Sequence, residues 1–314
     1  MPDQTLNKIL IIKLSAFGDF VLSIRSFQAI RAHHPRAHIT LLTTTPFVRL
    51  AQSSGLFDKI EVDERPRGLQ IGKWLRLRKW LNNNRFDRVY DLQRNDRSAS
   101  YFRLLSPRPE WVGKVKGCSH CQMIPDGTVI KVTVREDQQL ALAGIQNNPL
   151  PDMSFITADI SGLNLPERFA VLVPGGAPHR PDKRWPAEHF AALARSITQL
   201  AARDITPVLL GTKAERAECD AIASTCPQAL NLCGQTSLEQ IAVLARRALF
   251  AVGNDTGPMH MLSTNGCPVL VLYSKASDPR KIHPIGPDVH CHQVDDLAQL
   301  GPEEVLERLP FSTV

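Results

Sequence analysis

The chain has 314 residues, 43% apolar, 22% charged and 6% aromatic, with 18 Gly, 23 Pro and 7 Cys. That apolar share excludes a disordered chain, a collagen-like repeat and a disulfide-stapled miniprotein, and the length predicts two domains or one large one. The net charge of +6 is uneven: residues 1–160 hold 23 Lys and Arg against 15 Asp and Glu, whereas residues 161–314 hold 14 against 16.

In chain order, Lys8 to Leu14 is a short apolar run that reads as a strand. A Ser15-Ala16-Phe17-Gly18-Asp19 loop and a helix to about Ala32 follow it. His38 to Thr44, Lys59 to Asp63 and Arg88 to Gln93 read as further strands, with a helix over Gln70 to Asn83. Ser106 to Thr133 reads as loops and short strands, Arg135 to Asn147 as a helix, and Ile160 to Pro166 as a linker. The pattern then restarts. Strands are expected over Phe169 to Val173, Ile205 to Leu210, Leu249 to Asn254 and Pro268 to Ser274. Helices are expected from Ala187 to Ala202, Ala214 to Ser224, Leu238 to Ala248 and Pro258 to Thr264, with a last one near Pro302 to Leu309. Short apolar strands alternating with helices predict parallel sheets covered on both faces. Two such units in succession predict an α/β protein of two doubly wound domains, 1–160 and 161–314, facing across a cleft.

No run approaches the ~18 apolar residues of a membrane span, and Met1 to Lys8 carries no secretory h-region. A cytoplasmic protein is therefore expected. The odd number of cysteines argues against a disulfide framework. Cys118-Ser119-His120-Cys121 lacks the second pair that a structural zinc site needs, so no metal is expected. Between Arg65 and Arg108 stand 12 basic residues against Asp87, Asp91 and Asp96. Such a field favours an anionic partner; no nucleic-acid module is recognisable, so nucleic acid is not the expected one. In the Gln70 to Asn83 helix Ile71, Trp74, Leu75 and Leu81 lie near one side, with Lys73, Arg76 and Lys79 elsewhere. Such a helix either packs its apolar stripe on the sheet or rests on an anionic membrane surface.

Ligands of doubly wound sheets sit beyond the carboxyl ends of strands, which directs attention to three strand-to-helix loops. G-x-G-x-x-G and G-x-x-x-x-G-K-[ST] are both absent. The first loop holds Ser15, Gly18 and Asp19, where an acid in the first helical turn also complements the helix dipole. The second, Pro174 to Pro186, places Gly175 and Gly176 directly after a strand, with Arg180, Lys183 and Arg184 following. Exposed backbone N–H groups and a Lys suit phosphate. The third, Gly253-Asn254-Asp255-Thr256-Gly257-Pro258-Met259-His260, runs from a strand into a helix whose N-terminal N–H groups are free.

Taken together, Lys13 to Asp19, Pro174-Gly175 through Lys183-Arg184-Trp185-Pro186, and Gly253 to His260 resemble the motifs of the glycosyltransferase family 9 heptosyltransferases. The resemblance implies a GT-B fold of two Rossmann-like domains, and transfer of heptose from a nucleotide-diphosphate donor such as ADP-heptose to a lipopolysaccharide core acceptor. It implies that Asp19 is the catalytic base and that Lys183 offsets donor phosphate charge. Glu215 would contact the nucleoside sugar, Asp255, Thr256 and Gly257 would form the diphosphate turn, and His260 follows in its helix. Ser15 and Gly18 belong to the acceptor and donor loop. No cofactor beyond the donor is implied, and no metal. The N-terminal domain would face an anionic acceptor, peripheral contact with the cytoplasmic face of the inner membrane would follow, and the last helix would pack back on that domain. A nucleotide-sugar epimerase or a non-catalytic nucleotide-sugar or glycan binder on the same fold is the alternative.

Overall fold

The computed structural model describes residues 6–125, 127–176, 179–200 and 204–310. Two compact units divide at Asp152 and Met153. In the first, the order is β1 (Lys8–Ile12), α1 (Phe17–His33), β2 (His38–Thr43), α2 (Val48–Ser53), β3 (Lys59–Val62), α3 (Ile71–Asn84), β4 (Arg88–Asp91), α4 (Asp96–Leu104), β5 (Glu110–Gly113), β6 (His120–Cys121) and α5 (Val132–Ala141). In the second it is β7 (Phe169–Val173), α6 (Ala187–Thr198), β8 (Thr206–Leu209), α7 (Arg216–Thr225), β9 (Leu230–Asn231), α8 (Leu238–Ala245), β10 (Ala251–Asn254), α9 (Gly257–Thr264), β11 (Val269–Tyr273), β12 (Val289–Gln293) and α10 (Pro302–Glu307).

Each unit carries one six-stranded sheet, ordered β3-β2-β1-β4-β5-β6 in the first and β12-β11-β10-β7-β8-β9 in the second. Every strand pair is parallel. Counted within its own unit, each sheet has the doubly wound order 3-2-1-4-5-6. The expected fold class, two α/β domains with parallel sheets, is what the chain adopts. The central strands are buried on both faces, which is why Ile9–Ile12 and Phe169–Val173 read as unbroken apolar runs rather than alternating ones.

The domain boundary lies before the expected 160/161 division. Arg246 donates to the carbonyls of Met153 (2.6 Å) and Ile156 (3.0 Å), which ties residues 153–160 to the second unit. The last helix, expected to return to the first domain, packs on α6; Val305 and Leu309 lie in the second unit's own core with Trp185 and Phe190. β4 stops at Asp91 rather than Gln93, because the Asp91 carboxylate accepts the Arg94 N–H at 2.9 Å and turns the chain. α5 starts at Val132 and ends before the left-handed Gly144 (φ +84°) rather than running from Arg135 to Asn147. The expected end of the Ala187 helix, at Ala202, lies outside the described residues; α6 ends at Thr198. Strand β12, a mostly exposed edge with the text VHCHQ, was not anticipated.

α3 divides its apolar residues. Leu81 is buried in the core with Trp111 and Tyr101, and Trp74, Leu77 and Trp80 pack against it. Ile71 and Leu75 do not join them: they are 63% and 57% exposed, beside Leu69 at 92%. No described helix is long and apolar enough to cross a membrane.

Candidate active site

In each sheet the first strand of the unit lies beside the fourth, and the chain leaves them in opposite directions. The crevice at their carboxyl ends is the place a doubly wound sheet offers a ligand. In the first unit that place is lined by the residues after β1 and β4, in the second by those after β7 and β10.

After β1, Leu14 and Ser15 direct their backbone N–H groups to one acceptor, the Gln93 amide oxygen, at 2.7 and 3.0 Å. Gln93 Nε2 faces the Ser15 hydroxyl at 3.4 Å. Gly18 is buried in the first turn of α1, and Asp19 is half-buried, its Oδ2 accepting the Ala16 N–H at 3.3 Å. That long bond is the helix-capping role open to an acid at this position; Oδ1 has no partner among the described residues. Beneath the loop lies a buried ion pair: Lys13 Nζ stands 3.4 Å from Glu136 Oε1, with side chains 4% and 1% exposed. Glu136 also accepts the hydroxyls of Ser23 (2.6 Å) and Ser26 (2.7 Å), and Lys13 donates to the Leu92 carbonyl at 3.2 Å. Cations gather at the same edge. Arg65 donates to the Leu14 carbonyl at 2.6 Å and Arg97 to the Pro66 carbonyl at 3.1 Å. Burial, then the neighbouring Arg135, depresses the Arg94 guanidinium pKa to about 10.

In the second unit, fully buried Asn254 closes β10. Its Nδ2 donates to the carbonyls of Pro174 (2.7 Å) and Gly175 (3.2 Å), and its oxygen accepts the Trp185 N–H at 2.9 Å. Lys183 Nζ lies 3.0 Å from Asp255 Oδ2, which also accepts the Ser277 hydroxyl at 2.8 Å. Thr256 precedes α9 without capping it, and its hydroxyl is buried with no hydrogen-bond partner. An orphan hydroxyl beside the α9 N-terminus at Gly257, with a Lys close by, suits an anion. His260 is buried one turn into α9.

Glu215 closes this region. Its Oε1 accepts the Gly176 N–H at 2.9 Å, and its Oε2 accepts the N–H and hydroxyl of Thr212 at 2.7 and 2.9 Å. A Cβ on Gly175 would meet Glu215 Oε1 at 2.0 Å, so the Glu215 carboxylate can stand here only against a glycine. Arg184 donates to the Gly176 carbonyl and lies 3.4 Å from Glu218, whose pKa burial raises, with Arg184 opposing the rise. The structure thus brings Gly175, Gly176 and Glu215 together, and Lys183 together with Asp255. Residues 177 and 178 of the second loop lie outside the described residues.

Sequence reasoning missed Gln93, Asn254, Glu136 and Ser277. For the first two a signal existed: each is an amide at or just past the end of the fourth strand of its unit. Cys121 ends the edge strand β6 and Cys118 lies two residues before it. Burial, then Cys121, pushes the Cys118 thiol up to about 12. Among the described residues no group of three or more His, Cys, Asp or Glu is placed to hold a metal ion.

Comparison with known proteins fits this arrangement. The family model described as glycosyltransferase family 9 (heptosyltransferase) matches residues 135–303. Lipopolysaccharide heptosyltransferase 2 of Salmonella typhimurium is 27% identical over 297 residues, covering 86% of this chain and 83% of that protein. The Escherichia coli protein of the same name is 28% identical over 299 residues, with the same coverage. Two solved structures share the fold. E. coli ADP-heptose lps heptosyltransferase II has a TM-score of 0.74 at 23% identity, with 96% of each chain covered. A glycosyl transferase family 9 protein of Veillonella parvula has 0.77 at 18% identity, covering 98% of this chain and 97% of the other. With the family model spanning more than half of its length, the chain belongs to glycosyltransferase family 9 and is a glycosyltransferase.

Proposed function

We propose that this enzyme moves heptose from ADP-heptose to a lipopolysaccharide core acceptor, with inversion, and that Asp19 is the base. The observation that carries the reading is the anion cradle of the second domain: Lys183, the orphan Thr256 hydroxyl and the N-terminus of α9 at one sheet edge. The relatives named as lipopolysaccharide heptosyltransferases support heptose and this acceptor class. The solved relative named for ADP-heptose supports the donor. Arg65, Arg94 and Arg97 suit an acceptor bearing phosphates and acidic sugars.

In the displacement, the acceptor oxygen bonds to the anomeric carbon and gives its proton to the Asp19 carboxylate. The bond from that carbon to the diphosphate oxygen breaks, and its electron pair leaves with ADP. Lys183 and the α9 N-terminus at Gly257 stabilise the charge that develops there. Asp255 fits as the group that holds Lys183 in place, and the carboxylate of Glu215 as the shaper of the Gly175-Gly176 turn next to the nucleoside.

The test pairs a transfer assay with thermal shift. Asp19→Asn is expected to lower kcat by ~10²–10⁴-fold, while an ADP-sugar still raises Tm as it does for the parent. Parental turnover by Asp19→Asn removes the base. A Tm that rises with UDP-, GDP- or CDP-sugars but not with ADP-sugars removes the donor.

Peripheral attachment to an anionic membrane is part of the same proposal. Leu69, Ile71 and Leu75 form an exposed apolar tip at the start of α3, with Arg67, Arg78 and Lys79 exposed beside them. Apolar insertion flanked by cations suits an anionic headgroup layer. The enzyme should sediment with phosphatidylglycerol vesicles, and Leu69→Ser with Ile71→Ser should leave it in the supernatant. Equal sedimentation of both forms would rule out this surface.

A further inference from the structure

We propose that Gln93 is a positioning residue of the transfer reaction, whose amide oxygen fixes the backbone from which Asp19 acts; the proposal rests on Asp19 being the base. Leu14 N–H and Ser15 N–H, the last two backbone donors before the Ala16–Asp19 turn, both end on Gln93 Oε1 at 2.7 and 3.0 Å. Neither has another partner among the described residues. The opposite side of Leu14 is held as well, its carbonyl accepting the Thr44 hydroxyl at 3.0 Å and Arg65 at 2.6 Å. The loop is therefore clamped from both sides just before α1 begins.

Gln93 can act as a clamp because its own turn is fixed. The Asp91 carboxylate accepts the Arg94 N–H and the Ser98 hydroxyl, each at 2.9 Å. Gln139 Nε2 donates to the Asp91 and Val112 carbonyls, both at 2.9 Å. Lys13 takes the Leu92 carbonyl. Backbone groups on both sides of Gln93 are thus satisfied by buried partners, and its side chain is left to reach across the crevice to β1.

The second domain carries the same device at the same topological place, with reversed polarity. There the strand-end amide of Asn254 donates to carbonyls after β7. Taking up the Pro174 and Gly175 carbonyls removes acceptor oxygens that would oppose a diphosphate. Gln93 takes up N–H groups, so the loop after β1 offers none of these to a phosphate. It instead carries a carboxylate, which no bound anion then opposes. The working atom in the first domain is an acceptor oxygen, and that makes the proposal separable by chemistry.

Gln93→Met keeps length and removes the acceptor. Gln93→Glu keeps the acceptor and adds charge. The expected result for Gln93→Met is a kcat lower by ~10²-fold, the scale of a misplaced reacting group, with KM for ADP-heptose within about twofold of the parent. Gln93→Glu should keep kcat on the pH plateau while the acidic limb of the pH–rate profile moves to higher pH, since a nearby negative charge raises the pKa of a carboxylate base. Gln93→Asn, too short to reach both N–H groups, decides the matter if Gln93→Met fails to fold, and should fall as Gln93→Met would. Parental kcat in the folded Met variant, or in Asn where Met does not fold, overturns the proposal; so does Gln93→Glu as slow as Gln93→Met. Asp19→Asn is measured alongside. If it turns over at the parental rate, the base assignment fails. If it is slow and Gln93→Met is not, only the role of Gln93 fails.

Discussion

In the first domain the loop after the leading strand is held by its N–H groups, to Gln93; in the second it is held by its carbonyls, to Asn254. The two sheets have one strand order, and in each the clasp is an amide at or just past the end of the fourth strand. Around that shared plan the domains diverge in how the loop is built. The second uses glycine, a helix N-terminus and partners from other loops, Lys183 with Asp255 and Gly176 with Glu215. The first adds a buried ion pair beneath its loop, with Lys13 set against Glu136, and holds Ser15 against Gln93. A parallel sheet thus supplies the place, and in each domain one amide there fixes the adjoining loop.

Three substitutions sharpen this contrast. The largest effect is expected for Glu136→Ala. It leaves Lys13 buried without its counter-charge and should destabilise the first domain by ~3–5 kcal/mol, read as a lower urea midpoint in tryptophan fluorescence, since Trp74, Trp80 and Trp111 all lie there. An unchanged midpoint would mean that the buried pair does not hold the domain. Next comes Asn254→Ala, which strands the Pro174 and Gly175 carbonyls and the Trp185 N–H in a fully buried setting. A loss of ~1–3 kcal/mol is expected from unsatisfied groups, together with weaker ADP binding by calorimetry. Parental ADP affinity would separate the clasp from the donor site.

The smallest effect concerns Asp91. Burial raises its pKa above the usual aspartate value, with the Arg94 N–H and the Ser98 hydroxyl opposing that rise. The folded chain therefore holds this proton more tightly than the unfolded chain, and stability falls as pH climbs from the unfolded value to the folded one. Asp91→Asn has no such titration. The difference in Tm between variant and parent should drift in favour of the variant across that acidic window and flatten above it; a constant difference would contradict the shift.

Much of this was legible from the text of the chain. The apolar runs at 8–14, 169–173 and 268–274 gave strands because strands buried on both faces need no alternation. The three loops stood out because glycine, acid and hydroxyl residues follow such strands directly. Gln93 was hidden inside an expected strand, and its role appears only when Asp91 turns the chain two residues earlier. Glu136 lies inside an expected helix with nothing local to mark it, since its partners Lys13, Ser23 and Ser26 lie more than 100 residues away. On α3, spacing alone did not reveal that Trp74 and Leu77 would be packed while Ile71 and Leu75 stayed outside, because the choice depends on where α4 and β5 lie.

The Lys13–Glu136 pair also carries a lesson about synthesis. The ammonium belongs to the tail of the opening strand, and the carboxylate that neutralises it sits on the closing helix of the same domain. A nascent chain that has emerged only as far as β6 has every strand of the first sheet but must either leave that lysine in water or bury it alone. Ribosome-bound intermediates are thus expected to stay loose until α5 has cleared the exit tunnel, which makes this helix the latch of co-translational folding for the whole N-terminal half.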